Sequence, residues 1–258
     1  MKYSRTAKVA VAALAAIFLS TMMTSAASAD HEGAVYKANL TELNNSGGSG
    51  NGTLTVSDDG ETMTVQINAS GLNLDGPHAM HIHGIVDGDN VSASTCPTMA
   101  DDANGDGVLT VLEGAPKYGG VQVSLTTTGD TSADSALAVE RYPSGTAVNY
   151  NRAGIDIPDV LKPNLSKVHF VVHGLDENGN GTLDLDQTER SSLTDDLPRE
   201  GTAPVLCGTL TVQAGGIIQT GAGGLAETGT DAPATATALL GFAGFALLGG
   251  FVLRNRKS

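Results

Sequence analysis

The chain has 258 residues, with 28 acidic against 14 basic side chains and a formal net charge of −14. Between residues 30 and 228 the imbalance widens to 27 against 8, a formal −19. A surface of that sign repels a phosphate backbone, so nucleic acid is excluded as a partner.

Lys2, Arg5 and Lys8 precede an apolar stretch from Val9 to Leu19, and Ala27-Ser28-Ala29 offers small residues before Asp30. This order is that of a secretory signal peptide over 1–29. The exported part then reads as β throughout. Tyr36 to Leu43 is a first strand, and 44–52 is a loop of Asn, Ser and Gly. Residues 53–57 and 62–67 alternate polar and apolar around Asp58-Asp59-Gly60, which predicts a hairpin. His78 to Ile85, Gly120 to Thr127, Ala136 to Arg141, Lys167 to Val172 and Pro204 to Val212 are further strands, and 155–163 is a short helix or irregular crossover. Many short strands with Gly, Asn and Asp turns predict an all-β domain over 30–213, a sandwich or barrel. Residues 214–224 are Gly-rich and read as a spacer. From Ala232 to Leu253 the chain is apolar or small except for two threonines. At about 1.5 Å per residue, that run is long enough to cross a ~30 Å hydrocarbon core as a helix. Arg254, Arg256 and Lys257 follow. Immediately before the run stands Leu225-Ala226-Glu227-Thr228-Gly229. The pentapeptide resembles a sortase sorting signal, in the form associated with high-GC Gram-positive bacteria. The resemblance implies cleavage after Thr228 and linkage to cell-wall peptidoglycan, with sortase and the wall as partners. A plain C-terminal membrane anchor is the alternative. The two cysteines, Cys96 and Cys207, both lie in the exported part, where a pair should oxidise; free thiols are the other reading.

Two loops carry oxygen ligands at calcium spacing. Asp102, Asn104, Asp106, the Val108 carbonyl, Thr110 and Glu113 fill the defining positions of a twelve-residue calcium loop, with Gly107 at the sharp turn. Cys96-Pro97 enters the loop, and Gly114 and Pro116 follow it. An entering helix is therefore not expected, and an exiting one must be short. Asp176, Asn178, Asn180, the Thr182 carbonyl and Asp184 repeat the spacing. Here the twelfth position is Gln187, and Asp186 or Glu189 would have to supply the carboxylate. An ordinary Gly/Asn-rich turn is the other reading of this second loop.

His81 and His83, two apart on a strand, project from one face. His173 ends another strand, after Val171-Val172. Imidazoles converging from separate strands build copper or zinc sites, and proton competition for free imidazoles would set in below pH ~6; a pair of hydrogen-bonded histidines fixing a loop is the other reading of His81 and His83.

The order of these features resembles the Cu/Zn superoxide dismutases and the chordin-type (CHRD) domains: His81-Ile82-His83, Cys96, a long loop, Val171-Val172-His173, a second loop, then Cys207-Gly208-Thr209-Leu210. The resemblance covers roughly residues 33–213. It implies a Greek-key sandwich, the pairing Cys96–Cys207, and His81, His83 and His173 as copper ligands. Residues 97–119 contain no histidine, so the bridging histidine and zinc ligands of the dismutases have no counterpart. Arg199 is the nearest arginine before Cys207, although the dismutases place one shortly before the closing cysteine to attract superoxide. No nucleophile elbow, phosphate loop or zinc-protease helix signature is present. The sequence is thus read as a wall-anchored, calcium-ordered β domain with a non-catalytic binding or surface role. The alternative is an extracellular copper-binding protein or copper-dependent dismutase.

Overall fold

The computed structural model describes residues 33–213. The signal peptide, the spacer, the sorting pentapeptide Leu225–Gly229 and the apolar run read from the sequence lie outside the described residues. No helix among those described is long and apolar enough to cross a membrane.

Ten strands, all paired antiparallel, form one curled sheet, a half-barrel. They are β1 (Val35–Glu42), β2 (Ser49–Val56), β3 (Thr62–Ser70), β4 (Met80–Asp87) and β5 (Asn90–Ser92), followed by β6 (Gly120–Ser124), β7 (Ala147–Asp156), β8 (His169–His173), β9 (Pro204–Thr209) and β10 (Thr211–Val212). Their order is β5-β4-β8-β9-β1-β2-β3-β7, with β10 on β1 and β6 on β4. β9 returns from far along the chain to lie beside β1, a Greek-key type of connection. The fold is all-β, as the alternation predicts.

β1 and β3 bury every second side chain, which places Leu40, Val65 and Ile67 in the barrel core. The hairpin at 58–60 forms as expected, with Thr55 opposite Thr64 and Gly60 at φ 73°. β2 starts four residues earlier than the predicted 53–57, taking in part of the expected Asn/Ser/Gly loop. Packing explains its glycines. A Cβ on Gly52 would lie 2.5 Å from the Phe170 ring, so only glycine lets β2 pass over that side chain. Residues 136–141 are not a strand. Single turns of tight helix at Ala133–Ser135 and Val139–Arg141 carry this apolar run instead. It has no strand partner because it walls a cleft, described below. Of the expected crossover over 155–163, the first two residues end β7, and six residues of tight helix, Lys162–Lys167, begin only at its far end. The sequence did not predict β5 or β7.

β8 departs from alternation: all five residues, His169 to His173, are buried. Phe170 and Val172 face the barrel core, while Val171 faces a second apolar cluster with Leu43, Tyr118 and Cys207. The outer face of β4, β8 and β9 is therefore covered, and what covers it is the two long loops. Cys96 and Cys207 are disulfide-bonded with Cα atoms 5.8 Å apart, stapling the first loop to β9.

Candidate metal centre

His81 and His83 share one face of β4, and antiparallel pairing sets Val171 opposite His81 and Val172 opposite Met80. His173, the last residue of β8, lies on the same face. One nitrogen of each of the three imidazoles falls within 4.8 Å of the other two. The ring centroids are 5.1–5.6 Å apart. The side chains are buried, and the three converging nitrogens, His81 Nδ1, His83 Nε2 and His173 Nε2, have no hydrogen-bond partner. Buried polar atoms are rarely left unpaired. Three such atoms facing one another are lone pairs presented to a common point.

The opposite nitrogen of each ring fixes that presentation. His83 Nδ1–H donates to the Gly119 carbonyl at 2.9 Å, and His173 Nδ1–H to the Thr202 carbonyl at 2.7 Å. His81 Nε2–H is shared between the Ala136 carbonyl and the Tyr142 hydroxyl, both at 3.0 Å. The Tyr142 hydroxyl itself donates to the Ser135 carbonyl. Donation from one nitrogen sets the tautomer and leaves the other as a lone-pair donor, the usual support of a metal-binding histidine. Gly119 can hold its carbonyl there because its φ is 80° and its Cα packs on the Gly84 backbone, where a Cβ would collide. The Tyr118 ring stands edge-on to His83 at 4.6 Å.

Burial pushes the His83 imidazole down to about 3 and His173 to about 4, and holds His81 well below its usual range; the neighbouring histidines act in the same direction on His81 and His83. All three are neutral at pH 7, the form that binds metal. Three nitrogens each ~2.0 Å from one ion in a trigonal array stand ~3.5 Å apart. A contraction on the order of 1 Å thus closes the cluster on a single ion. The buried donor set fits a metal ion, and imidazoles without thiolate or carboxylate suit copper or zinc.

Above the cluster lies a cleft of about 40 Å³, walled by Val111, Val121, Leu137, Val139, Leu193 and Leu197. Among the described residues no Asp, Glu, Lys or Arg side chain lines it. His78 does not reach the cluster. Its Nδ1 lies 2.8 Å from the His173 carbonyl, and its Nε2 lies 3.1 Å from the carbonyls of Leu74 and Gly145. His169 packs beside the disulfide, with Nε2 at 2.7 Å from the Ser94 hydroxyl.

The two calcium-spaced loops have the same local build. In the first, the Asp102 carboxylate accepts from Gly105 and Gly107 N–H, Asn104 Oδ1 from Asp106 N–H, and Asp106 Oδ1 from Val108 N–H. In the second, at equal offsets, Asp176 accepts from Gly179 and Gly181, Asn178 from Asn180, and Asn180 from Thr182. Gly105, Gly107, Gly179 and Gly181 all have positive φ. Thr110 caps helix α1 (Val111–Tyr118) in a capping box with Glu113. That helix is eight residues long, and only a single tight turn, Met99–Asp101, stands on the entering side. Both limits follow the expectation from Pro97, Gly114 and Pro116.

Glu113 Oε1 accepts from Ala103 N–H and Oε2 from Thr110 N–H, the second and ninth positions of its loop. In the second loop those positions are Glu177 and Asp184, and both of their N–H groups donate to Glu200. Glu200 is fully buried and lies on a single helical turn, α2 (Arg199–Thr202). It holds the place of the missing twelfth residue from outside the loop; neither Asp186 nor Glu189 makes these contacts. The sequence signal was absent because the residue comes from another element. Arg199 joins the loops, with ion pairs to Asp106 at 2.7 Å and Glu177 at 2.6 Å. Like Glu200, Tyr142 and the carbonyls of Gly119, Ala136 and Thr202 carry no signal in the sequence.

The sequence matches no family model and no curated protein.

Proposed function

We propose that this chain is an exported, wall-anchored domain that binds one copper ion through His81, His83 and His173, on a disulfide-stapled β scaffold whose two long loops are ordered by calcium. One observation carries the reading: three buried, neutral imidazole nitrogens, each without a partner, converge within 4.8 Å while the other ring nitrogens are held by backbone carbonyls. The resemblance of the His-x-His strand, the Val-Val-His strand and the Cys96–Cys207 pair to the dismutase and CHRD domains supports copper over zinc. So does the lack of any histidine in 97–119 for a zinc subsite.

The reading is one of binding rather than superoxide turnover. Superoxide is an anion, and beyond the metal's own charge fast turnover calls for a positive side chain beside the metal to steer it in. Arg199, the arginine nearest the closing cysteine in sequence, is held by Asp106 and Glu177. The cleft over the histidines is apolar. Metal analysis of the full chain after copper loading and gel filtration tests this. One copper per chain is expected, lost in His81→Ala and His173→Ala variants that keep the native circular-dichroism spectrum. Native chain that emerges without copper would overturn it, and superoxide turnover above that of free solution would replace binding with dismutation.

A further inference from the structure

We propose that Cys96, Cys207 and His169 form a second metal site, for zinc, in the reduced chain, and that oxidation to the disulfide closes it. None of the three histidines of the copper centre takes part, so this site does not depend on that reading.

The backbone sets the three side chains together. Cys207 on β9 pairs with Val171 on β8, and His169 lies two residues from Val171 on the same outer face, diagonal to Cys207. The first long loop brings Cys96 over both, with the Cα atoms of the two cysteines 5.8 Å apart. Cys96 Sγ, Cys207 Sγ and His169 Nδ1 all lie within 4.8 Å of one another, and Nδ1 is 3.9 Å from Cys96 Sγ.

The state of His169 points to a ligand. The Ser94 hydroxyl has one proton and donates it to the Lys167 carbonyl at 2.7 Å. Towards His169 Nε2, also at 2.7 Å, the same oxygen can then only accept, so the imidazole proton sits on Nε2. Burial holds this ring below its usual range, so it carries no second proton at neutral pH. Nδ1 therefore turns a lone pair on the sulfurs. His169 is fully buried, and a disulfide has no hydrogen to offer it. A buried acceptor without a donor is rare; here it faces the position a metal would take between the opened sulfurs.

Geometry and charge select the ion. Tetrahedral zinc, with bonds of ~2.3 Å to sulfur and ~2.0 Å to nitrogen, sets sulfur ~3.8 Å from sulfur and ~3.5 Å from nitrogen. The distance from Nδ1 to Cys96 Sγ already approaches this, and opening the disulfide lets the sulfurs part by turning about their Cα–Cβ bonds. Cys207 and His169 are fully buried, so net charge matters. Two thiolates neutralise Zn²⁺, whereas Cu⁺ would leave one negative charge uncompensated. Cys96 is only partly buried and borders a surface cleft whose single charged lining residue, among those described, is Glu42. That opening admits the ion and leaves room for a water as fourth ligand, while Ser94 holds the ring in place. Opening the bond consumes two electrons and two protons, supplied by a dithiol or by a phosphine and water. Zinc then displaces the two thiol protons.

The test uses the full chain, chelator-treated, reduced with a phosphine and kept free of oxygen. Cobalt(II) stands in for zinc, because thiolate ligation gives it a charge-transfer band in the near ultraviolet that nitrogen ligands do not. The reduced chain should show that band and the oxidised chain should not. In His173→Ala, where the three-histidine centre is broken, the band should persist and saturate at one cobalt per chain. One zinc should remove it, with about two protons released at neutral pH over the whole exchange from free thiols. His169→Gln and Ser94→Ala should each weaken cobalt binding at least roughly tenfold. A reduced, natively folded chain without the band overturns the inference, and so does a band indifferent to His169→Gln. A chain that unfolds on reduction and does not regain its circular-dichroism spectrum with zinc overturns it as well. None of these results bears on copper at the three histidines.

Discussion

Acidification of the metal-free protein is expected to destabilise it through the three histidines. His83 and His173 are neutral above pH ~6.5 in the folded and the unfolded chain alike, so their contribution is fully present there. As pH falls, the unfolded chain takes up protons that the folded chain refuses, because burial holds the two imidazoles to about 3 and about 4. Stability is therefore lost from pH ~6.5 downwards, and the loss levels off only near those folded values. At pH 5 both folded imidazoles are still unprotonated, so the loss depends only on the unfolded value. It comes to about 2 kcal/mol for each residue, or about 4 kcal/mol for the pair, between pH 7.5 and 5. His81 acts in the same direction. Urea unfolding of chelator-treated protein at the two pH values measures this, with a His83→Gln/His173→Gln variant as reference. Carboxylates titrate in both proteins and cancel. The native chain should lose about 4 kcal/mol more than the variant; two profiles that fall in parallel would refute the reasoning. Copper binding carries a related correction. Free imidazoles compete with protons below pH ~6, but the folded site is deprotonated well below that, so binding should hold at pH 5 and weaken only near pH 4.

The disulfide spans a sequence separation of 111 residues, which in the chain-entropy treatment corresponds to about 4.8 kcal/mol. Cys96→Ala/Cys207→Ala should lower unfolding stability by that order, and a loss under about 1 kcal/mol would refute the entropic account. Calcium at roughly 100 times its Kd should stabilise the chain by about 2.7 kcal/mol per occupied loop. Glu113→Gln should remove the share of the first loop and Glu200→Gln that of the second; a melting temperature indifferent to calcium would count against both loops. Thr228→Ala should release the protein from the wall fraction, and unchanged wall attachment would favour a membrane anchor.

Sequence showed the fold class because alternation survives in β1 and β3, where one face meets the core and the other meets water. It failed where a second layer intervenes. The apolar run Ala136–Arg141 has strand composition, but its residues wall a cleft and lend a carbonyl to His81. Gly50 and Gly52 have the composition of a loop, which hides the start of β2, although close packing is what requires them. Within the centre, side-chain ligands were legible because His-x-His spacing is a property of one strand. Their supports were not, since Gly119, Ala136 and Thr202 contribute only carbonyls, which any residue possesses. Glu200 was invisible for a topological reason: it completes a twelve-residue pattern from the thirteenth residue beyond that pattern's end.

The single turn α2 gathers connections out of proportion to its length. Arg199 bridges the two acidic loops, Glu200 anchors the second of them, and Thr202 orients His173. Order of the second loop and alignment of His173 consequently share one mechanical support. A chain in which α2 has not docked would have neither an oriented His173 nor an anchored second loop. Once the turn seats, both arise together, so the alignment of the third imidazole and the order of the second loop would appear as one event late in folding.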